Sequence, residues 1–583
     1  MRKKHSDPVG SRRRVRAGLC ASWAVAIALS LAACGANERS SVSGPSGGDA
    51  NSDGGAGGGA SVAGSDGVLG GAGAIGGGGG GAGSGFGGGS GGGAGGSGGS
   101  QIELGPLLPT DGWPKTIPAI REWHAYGAGA GAFVWTATSA IVVAAGAPSS
   151  LLDAANTLAD DLNALTGVRP EVTAAGIGKN GDIVLALDLA DAAVGDEGYV
   201  LTVDTRATVH ANHIDGAFWA TRTFLQLLAQ NKTRSITFGA ARDWPSYPER
   251  GFMIDNGRTY FSPEWLENHI RELSYLKLNL FHWHLADGAG FRIESPSHPE
   301  IVSAEHLTRA QVSEAVALAQ RYHVEVVPEL DMPGHMDAVL ASHPDLVATQ
   351  STYPGKQLDY TKDEARLLAK TLIQESIALF PGRYWHLGTD EFTPYFDAAW
   401  DFAQKKYGNN PQIGGLDVAI GFVNELAAVV ESNGKQARVW NDVLAPHGVV
   451  EKLDPRIIWE DWIDRGTPLA DLAAAGLSIL NCNSECTYST DEATILGSAC
   501  ALNRFAGGSS LPVGSPTIRG SKYHVWCDPA PDFCPDEPTV SANVRMPLRA
   551  LAQVTWGSRE FVLSAAELDA RAALVGRSPG FAH

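Results

Sequence analysis

The chain has 583 residues, of which 44% are hydrophobic, and its formal net charge is −19 at pH 7. This length is sufficient for two or three domains with a large hydrophobic interior. The acidic balance argues against nucleic acid as a partner, because nucleic-acid-binding surfaces are basic. The 15 Trp residues suit a sugar-binding protein, since indoles stack on the apolar faces of sugar rings, although most Trp are expected in the core.

Residues 1–33 are predicted to be a targeting segment. Arginines at positions 12–14 and 16 precede an apolar run, residues 17–33, that is too short and too rich in alanine for a membrane span. The run ends in Leu-Ala-Ala-Cys-Gly, which resembles the lipobox of bacterial lipoproteins and implies cleavage before Cys34 and lipid on that residue. An ordinary secretory signal with a chance cysteine is the alternative. Both predict an exported protein, either lipid-anchored at the bacterial cell envelope (the outer membrane) or secreted.

Residues 34–104 are predicted to form a disordered linker. Residues 44–99 hold 31 of the 72 glycines of the chain, and most of the others are Ser, Ala and Asp. Such a composition gives a flexible chain rather than a packed fold. A linker of this kind would let an anchored protein reach a bulky substrate.

Residues 105–246 are predicted to form a small α/β domain. Apolar segments at 139–144, 182–187 and 199–203 are typical of strands, whereas 151–166 and 214–229 have the apolar spacing of helices. No residue of this domain is predicted to be catalytic.

Residues 247–583 alternate strand and helix, which predicts a (β/α)8 barrel with long loops, notably 484–522. Ser262-Pro263 marks the start of one helix, and 363–379 is predicted to form another. The predicted strands are 251–255, 280–285, 324–329, 384–387, 437–440, 457–460, 478–481 and 523–526.

Acids, histidines and tryptophans follow nearly every predicted strand. Catalytic residues of such barrels lie at the carboxyl ends of the strands, and this residue set suits a sugar pocket. The adjacent Asp390 and Glu391 repel each other's ionisation, so one of them is expected to stay protonated near neutral pH. His284 is equally compatible with a core role, and Asp442 and Asp461 with helix caps. The rim candidates are Asp255, Arg258, His284, Asp287, Glu329, Asp331, His335, His386, Asp390, Glu391, Trp440, Asp442, Trp459, Asp461, Tyr488, Trp526 and Asp528.

Two strings, VVPELDMPGHMDAVL (326–340) and HLGTDEF (386–392), resemble the family-20 glycoside hydrolases, the β-N-acetylhexosaminidases. The segments 253–262 and 279–294 support this resemblance. GYVLTV and DGAFWATRTFLQLL in the small domain resemble the α/β domain that precedes the barrel in many members. The resemblance implies exo-acting removal of terminal β-linked GlcNAc or GalNAc with retained configuration. The 2-acetamido group of the substrate would serve as the nucleophile.

The resemblance also implies residue roles. Glu391 would be the general acid and then the base, Asp390 would orient the acetamide group, and Tyr488 would donate to its oxygen. The other implied substrate-binding residues are Trp440, Trp459 and Trp526 as walls of the pocket, Arg258 and Asp528 at the sugar hydroxyls, and Asp287, His335 and His386 in a surrounding polar layer. Asp528 stands where members commonly have Glu. Tyr488 lacks the usual preceding aromatic run.

Five cysteines remain after Cys20 and Cys34, so at most two disulfides form. Cys527 with Cys534 is plausible, together with one pair among Cys482, Cys486 and Cys500. These cysteines have no nearby His cluster or further CxxC, so no zinc site is predicted there. No metal site and no cofactor is predicted elsewhere.

Two other functions stay open. The first is a specialised lacto-N-biosidase-like enzyme or poly-N-acetylglucosamine hydrolase, and the second is a glycan-binding surface protein that has lost catalysis. An inverting two-carboxylate enzyme is disfavoured, because adjacent residues do not give the separation of about 6.5–9.5 Å that a water needs. The sequence leaves the preferred sugar, the linkage and the oligomeric state undetermined.

Overall fold

The computed structural model describes residues 102–127, 129–174, 176–528, 533–557 and 563–582. The predicted signal segment, the lipidation site Cys34 and nearly all of the predicted linker lie outside these ranges. Among the described residues, no helix is both long and apolar enough to cross a membrane.

The small domain is a sheet with helices. Seven strands pair in the order β1-β9-β6-β7-β5-β3-β4, and β2 pairs separately with β8. The helices α1 and α2 pack against each other and on the sheet. The strands are β1 (Glu122–His124), β2 (Ala132–Val134), β3 (Ile141–Val143), β4 (Val172–Ala174), β5 (Ile183–Ala186), β6 (Tyr199–Val203), β7 (Ala207–Ala211), β8 (Ser235–Thr237) and β9 (Gly239–Asp243), and the helices are α1 (Ser149–Thr166) and α2 (Ile214–Ala229).

The second part is a closed barrel of eight parallel strands, which confirms the predicted (β/α)8 fold. Its strands are β10 (Glu249–Asp255), β11 (Leu280–His284), β14 (Glu325–Glu329), β15 (Tyr384–His386), β16 (Gln436–Trp440), β17 (Ile458–Asp461), β18 (Ile479–Asn481) and β19 (Ile518–Val525), and a short hairpin, β12 (Ala286–Asp287) with β13 (Gly290–Phe291), follows β11. Its helices are α3 (Pro263–Tyr275), α4 (Arg309–Arg321), α5 (Asp337–Leu340), α6 (Asp363–Ile377), α7 (Asp397–Tyr407), α8 (Gly415–Ser432), α9 (Leu469–Ala474), α10 (Ser484–Thr487), α11 (Glu492–Ile495), α12 (Glu537–Asn543), α13 (Arg545–Trp556) and α14 (Ala565–Val575).

The last strand begins five residues earlier than the sequence predicts. Gly520 pairs with Glu249 of β10 in the closing ladder. A Cβ atom on Gly520 would lie 1.7 Å from the Glu249 carbonyl oxygen, so only glycine permits this pairing. The start of β19 lacks an apolar alternation because it faces buried charges rather than a hydrophobic layer.

Charged side chains fill the inside of the barrel. Arg438 on β16 donates to Glu460 at 2.7 Å and to Glu249 at 2.7 Å. Lys522 on β19 also pairs with Glu460. Since alternate residues of a strand point to opposite faces, the residues between these charges point outward into the apolar layer under the helices.

The small domain contacts the amino-terminal ends of the barrel strands. Lys277, just before β11, lies 2.8 Å from Asp243 of β9. The hydroxyl of Tyr322, just before β14, donates to Asp161 of α1 at 2.8 Å. The opposite end of the barrel, where the candidate site lies, is therefore left to the loops that follow the strands.

Candidate active site

A tight turn after β15 carries the adjacent carboxylates. Gly388, Thr389 and Glu391 have φ values of 74°, 81° and 46°. A Cβ atom on Gly388 would lie 1.7 Å from an oxygen of Asp331, so the turn requires glycine there. The backbone N–H of Thr389 donates to Asp331 at 3.0 Å and fixes the turn. Left-handed backbone at two non-glycine residues is a strain that is typical of functional sites.

The two carboxylates converge on one imidazole. His335 Nε2 lies 3.6 Å from Asp390 Oδ2 and 3.5 Å from Glu391 Oε2. The Asp390 side chain is 11% exposed, whereas that of Glu391 is 44% exposed. Adjacent residues of the same chemical type therefore occupy different environments, one enclosed and one open to an incoming ligand.

Acids and imidazoles alternate from the barrel interior to this point. His335 Nδ1 lies 3.3 Å from Asp287 Oδ1. His284 Nε2 lies 2.9 Å from the other Asp287 oxygen, and His284 Nδ1 pairs with the buried Glu329. His284 thus supports Asp287, which in turn orients His335.

The charged groups around His335 shift its pKa and that of Glu391. Burial opposes charge on His335, but Asp390, Asp287 and Glu391 outweigh it and raise the pKa of His335 well above its usual value. A hydrogen bond with His335 lowers the pKa of Glu391. Burial and the charge of Asp390 raise the pKa of Asp331 well above its usual value.

Asp442 is a second acid with a raised pKa and a contact that the sequence did not reveal. Its Oδ2 accepts the Glu391 backbone N–H at 2.9 Å, and its Oδ1 accepts the Trp462 indole N–H at 3.3 Å. Burial, with the charge of Asp390, raises the pKa of Asp442 to about 7. Its place at the end of β16 made it a rim candidate, but helix capping was an equal alternative.

Arg258 is held at the rim by three carboxylates. Its guanidinium lies 2.9 Å from Asp255, 3.0 Å from Asp287 and 3.2 Å from Asp528. Its carbon atom also lies 5.4 Å from the centre of the Trp526 ring. Arg258 and Asp528, predicted to act together, are thus direct neighbours.

A cluster of aromatic side chains lies beside the carboxylates. Trp462 and Tyr488 are stacked, with ring centres 6.0 Å apart and an interplanar angle of 5°. Trp526 lies 6.2 Å from Tyr488 and 5.9 Å from Trp440. The indole N–H of Trp440 donates to Glu329 at 2.8 Å, which fixes that ring.

The prediction that Trp459 walls the pocket is wrong. Its neighbours in β17, Ile458 and Glu460, point into the barrel, so Trp459 points outward, where it is fully buried in the main hydrophobic core. Trp462, three residues further on, packs with the Trp440 cluster instead. The signal for Trp462 in the sequence was its position as a second Trp just beyond the end of the predicted strand.

His386 lies below the mouth of the barrel. It is fully buried, 3.0 Å from Glu329 through Nδ1 and 3.5 Å from Glu460 through Nε2. It therefore supports the buried carboxylates and is screened from a ligand at the strand ends.

Two disulfides border the site. Cys486 pairs with Cys500, and Cys527 pairs with Cys534, whereas Cys482 is free and buried. The first bridge is two residues from Tyr488 and the second adjoins Asp528. These pairs agree with the predicted arrangement and decide which of the three candidates stays unpaired.

Comparison with known proteins agrees with the family resemblance of the sequence. Residues 247–494 match the pattern "Glycosyl hydrolase family 20, catalytic domain", and residues 113–244 match "Glycosyl hydrolase family 20, domain 2". Lacto-N-biosidase from Bifidobacterium bifidum is 27% identical over 459 residues, which are 76% of this chain and 40% of that protein. Beta-hexosaminidase subunit A1 of Dictyostelium discoideum is 30% identical over 300 residues, 49% of this chain and 55% of that protein.

A solved structure is also similar. The GH20 β-N-acetylhexosaminidase from Streptomyces coelicolor A3(2) superposes with a TM-score of 0.61 and 25% identity, covering 81% of this chain and 98% of that one. The chain spans about half the length of the two relatives named above. The barrel and its acidic, aromatic site define the class of (β/α)8-barrel glycoside hydrolases. Within that class, the chain belongs to glycosyl hydrolase family 20.

Proposed function

We propose that the protein is a retaining exo-β-N-acetylhexosaminidase that removes terminal GlcNAc or GalNAc from glycans or chitin-type oligosaccharides. The observation that carries this proposal is the convergence of Asp390 and Glu391 on His335, at 3.6 and 3.5 Å, beside a cluster of aromatic side chains. A solvated pair of acids on the surface would not converge on one imidazole. Two acids that act from opposite faces of a sugar would lie apart and would not converge either.

Asp390 is suited to hold the substrate's acetamide group. Its Oδ1 is buried and accepts no N–H donor among the described residues. A buried carboxylate oxygen without an N–H donor is costly, and an acetamide N–H would supply one. The negative charge of Asp390 would also stabilise the cationic oxazolinium ion that forms when the acetamide oxygen attacks the anomeric carbon. Tyr488 and the indoles would hold the group in the attacking position.

Glu391 is suited to transfer protons at the glycosidic oxygen. In the sugar-free protein its pKa is lowered, chiefly by His335. A bound sugar would exclude water from the half-exposed carboxyl and raise its pKa toward the value that a general acid needs. After donating its proton to the leaving oxygen, the carboxylate would take a proton from the water that opens the oxazolinium ion.

Substitution of the acids tests this mechanism. Glu391→Gln is expected to lower kcat on a 4-nitrophenyl β-GlcNAc substrate about 10²–10⁴-fold, and Asp390→Asn is expected to abolish the advantage of N-acetylated over non-acetylated sugars. A thiazoline mimic of the intermediate should inhibit the native protein. Glu364→Gln, an exposed acid on α6, is the matched control. Failure of the native protein to hydrolyse any β-linked hexosaminide would refute the proposal; tight binding of GlcNAc oligomers without hydrolysis would indicate a glycan-binding protein.

A lacto-N-biosidase-like activity is the second candidate. The Bifidobacterium lacto-N-biosidase matches 76% of this chain, more than Dictyostelium subunit A1 does at 49%. The side chain of Asp528 is one carbon shorter than Glu and is 34% exposed, which would leave space for a second sugar. Release of a disaccharide from an aryl lacto-N-bioside, faster than release of GlcNAc from its aryl glycoside, would favour this candidate.

We propose that the protein is exported and tethered by lipid at Cys34. The lipobox-like sequence supports this localisation. Metabolic labelling with a radioactive fatty acid should label the native protein, and Cys34→Ser should remove the label. Equal labelling of both would contradict the tether.

A further inference from the structure

Two histidines and a glutamate form a cluster away from the candidate active site. His298 Nδ1 lies 3.0 Å from Glu300 Oε1, and His343 Nε2 lies 3.2 Å from the same oxygen. His298 and Glu300 belong to the loop after the β12–β13 hairpin, whereas His343 follows α5. We refer to His298, Glu300 and His343 as the two-histidine cluster.

The cluster is built from a repeated sequence. Residues 297–301 read Ser-His-Pro-Glu-Ile and residues 342–346 read Ser-His-Pro-Asp-Leu. Each histidine directly precedes a short 3-10 helix, and their φ/ψ values are −135°/62° and −129°/57°. The hydroxyl of Ser342 donates to the Glu300 carbonyl at 3.0 Å and joins the two loops. Both imidazoles are therefore presented by the same local backbone, held in place by proline and by this hydrogen bond.

The spacing fits a transition-metal ion. Zinc bonds of about 2.0–2.2 Å to imidazole and carboxylate in a tetrahedron place the ligand atoms about 3.3–3.5 Å apart. The two nitrogen–oxygen distances are 3.0 and 3.2 Å, and all three ligand atoms lie within 4.8 Å of one another. The imidazoles are 24% and 22% exposed and Glu300 is 43% exposed, so a small rotation of the carboxylate would admit an ion and water could complete its coordination.

The other clusters of potential metal ligands either contact a fixed cation or belong to the candidate active site. Within the described ranges, three of them already contain a fixed cation: Lys522 contacts His282 and Glu460, and Arg258 contacts Asp255 and Asp287. The fourth comprises Asp331, His335 and Asp390 of the candidate active site. A divalent cation next to Lys or Arg would be repelled. The ion pairs of Glu300 within the same ranges are with the two histidines alone.

We propose that the two-histidine cluster binds a divalent transition-metal ion of the zinc class and thereby clamps two rim loops together. The loop of His298 follows the hairpin that carries Asp287, and His343 follows α5, which begins just after His335. The ion would be structural, because the cluster contacts none of the proposed catalytic residues in the structure. It would strengthen the connection that Ser342 already makes between the loops.

The test uses the full chain, freed of metal with a chelator and titrated with zinc chloride alone in a calorimeter. The native protein is expected to bind one zinc ion per chain at this cluster. Each single variant is expected to bind zinc about ten-fold or more weakly at this cluster, because one of three protein ligands is lost. Cobalt in place of zinc should give the visible absorption bands of a tetrahedral site in the native protein and not in the variants.

Two further variants make the result decisive. Glu300→Gln keeps the size of the side chain and removes its charge, so it should lose zinc binding with an unchanged far-UV circular dichroism spectrum. His306→Ala removes a histidine from the same loop, outside the cluster, and should bind zinc like the native protein. The proposal is overturned if zinc binding is equal in the native protein and in His298→Ala, His343→Ala and Glu300→Gln. It is overturned as well if the native protein shows neither heat nor cobalt bands at millimolar metal.

Discussion

At the level of single residues, the site depends on a difference in environment between Asp390 and Glu391. The Asp390 side chain is 11% exposed, whereas that of Glu391 is 44% exposed. Both lie near the imidazole of His335, whose hydrogen bond lowers the pKa of Glu391. Burial and the charge of Asp390 raise the pKa of the neighbouring Asp331 well above its usual value, although His335 opposes this shift.

The two neighbouring tryptophans give a prediction at this scale. Trp462→Ala should lower kcat/KM about 10²-fold, because an acetamide group without its wall is misplaced for attack. Trp459→Ala should lower the free energy of unfolding by about 3–5 kcal/mol, the cost of a large cavity in the core, with an unchanged KM for the folded fraction. Steady-state kinetics and thermal unfolding of both variants separate the two roles. A kinetic defect confined to Trp459→Ala would show that the outward direction of this side chain is wrong.

At the level of elements, the loop after β18 depends on a covalent connection. The bridge between Cys486 and Cys500 spans 14 residues and ends next to Tyr488. A disulfide that closes a loop of this size stabilises the folded state by about 3 kcal/mol, because it restricts the unfolded chain. Cys486 lies in α10, just before Tyr488, and α11 with its buried Ile495 lies between the two cysteines, so the bridge ties the residues before Tyr488 to the end of this segment.

Removal of this bridge is therefore expected to affect catalysis as well as stability. The double variant Cys486→Ser, Cys500→Ser should unfold at lower temperature and should lose kcat/KM through displacement of Tyr488. Cys482→Ser, which changes a free cysteine in the same region, is the control. Native kinetics in the double variant would mean that packing alone positions Tyr488.

The barrel strands show how well the pattern of apolar and polar residues in the sequence predicts the positions of strands. Seven of the eight were predicted within two residues, because each has an apolar outward face and is followed by polar rim residues. β19 was placed too late, since its first half faces Glu249 and Glu460 and therefore carries Arg519 and Lys522. Strand patterns assume an apolar interior, and this barrel has a charged one.

At the level of the whole molecule, the buried charges predict a pH dependence of stability. Burial by itself lowers the pKa of His284, but Glu329 and Asp287 outweigh it and raise the pKa to about 10. An unfolded histidine titrates at about 6.5. Between these values the native state binds a proton that the unfolded state does not, so stability falls as pH rises from about 6.5 to 10, by up to about 1.4 kcal/mol per pH unit.

Scanning calorimetry between pH 5 and 9 measures this dependence. The melting temperature should fall with rising pH above about 6.5, and His284→Gln should flatten the slope while lowering the whole curve. The lowered pKa values of Asp287 and Glu329 have the opposite sign, so stability should also be lost on acidification through the pKa values of the unfolded acids and below. A flat profile from pH 6.5 to 9 would contradict protonation of His284 in the native state.

The sequence by itself determined the barrel, the domain before it, the place of Asp390 and Glu391 after a barrel strand, and the family, because these depend on local periodicity and on contiguous strings. Only the tertiary structure decided that Trp462 and not Trp459 joins the aromatic cluster, that Asp442 holds the Glu391 backbone, that Cys482 is the unpaired cysteine, and that His298 and His343 meet. Each of these depends on the direction of a side chain or on the approach of distant loops. Such relations are set by the closure of the barrel, which brings together residues that are far apart along the chain.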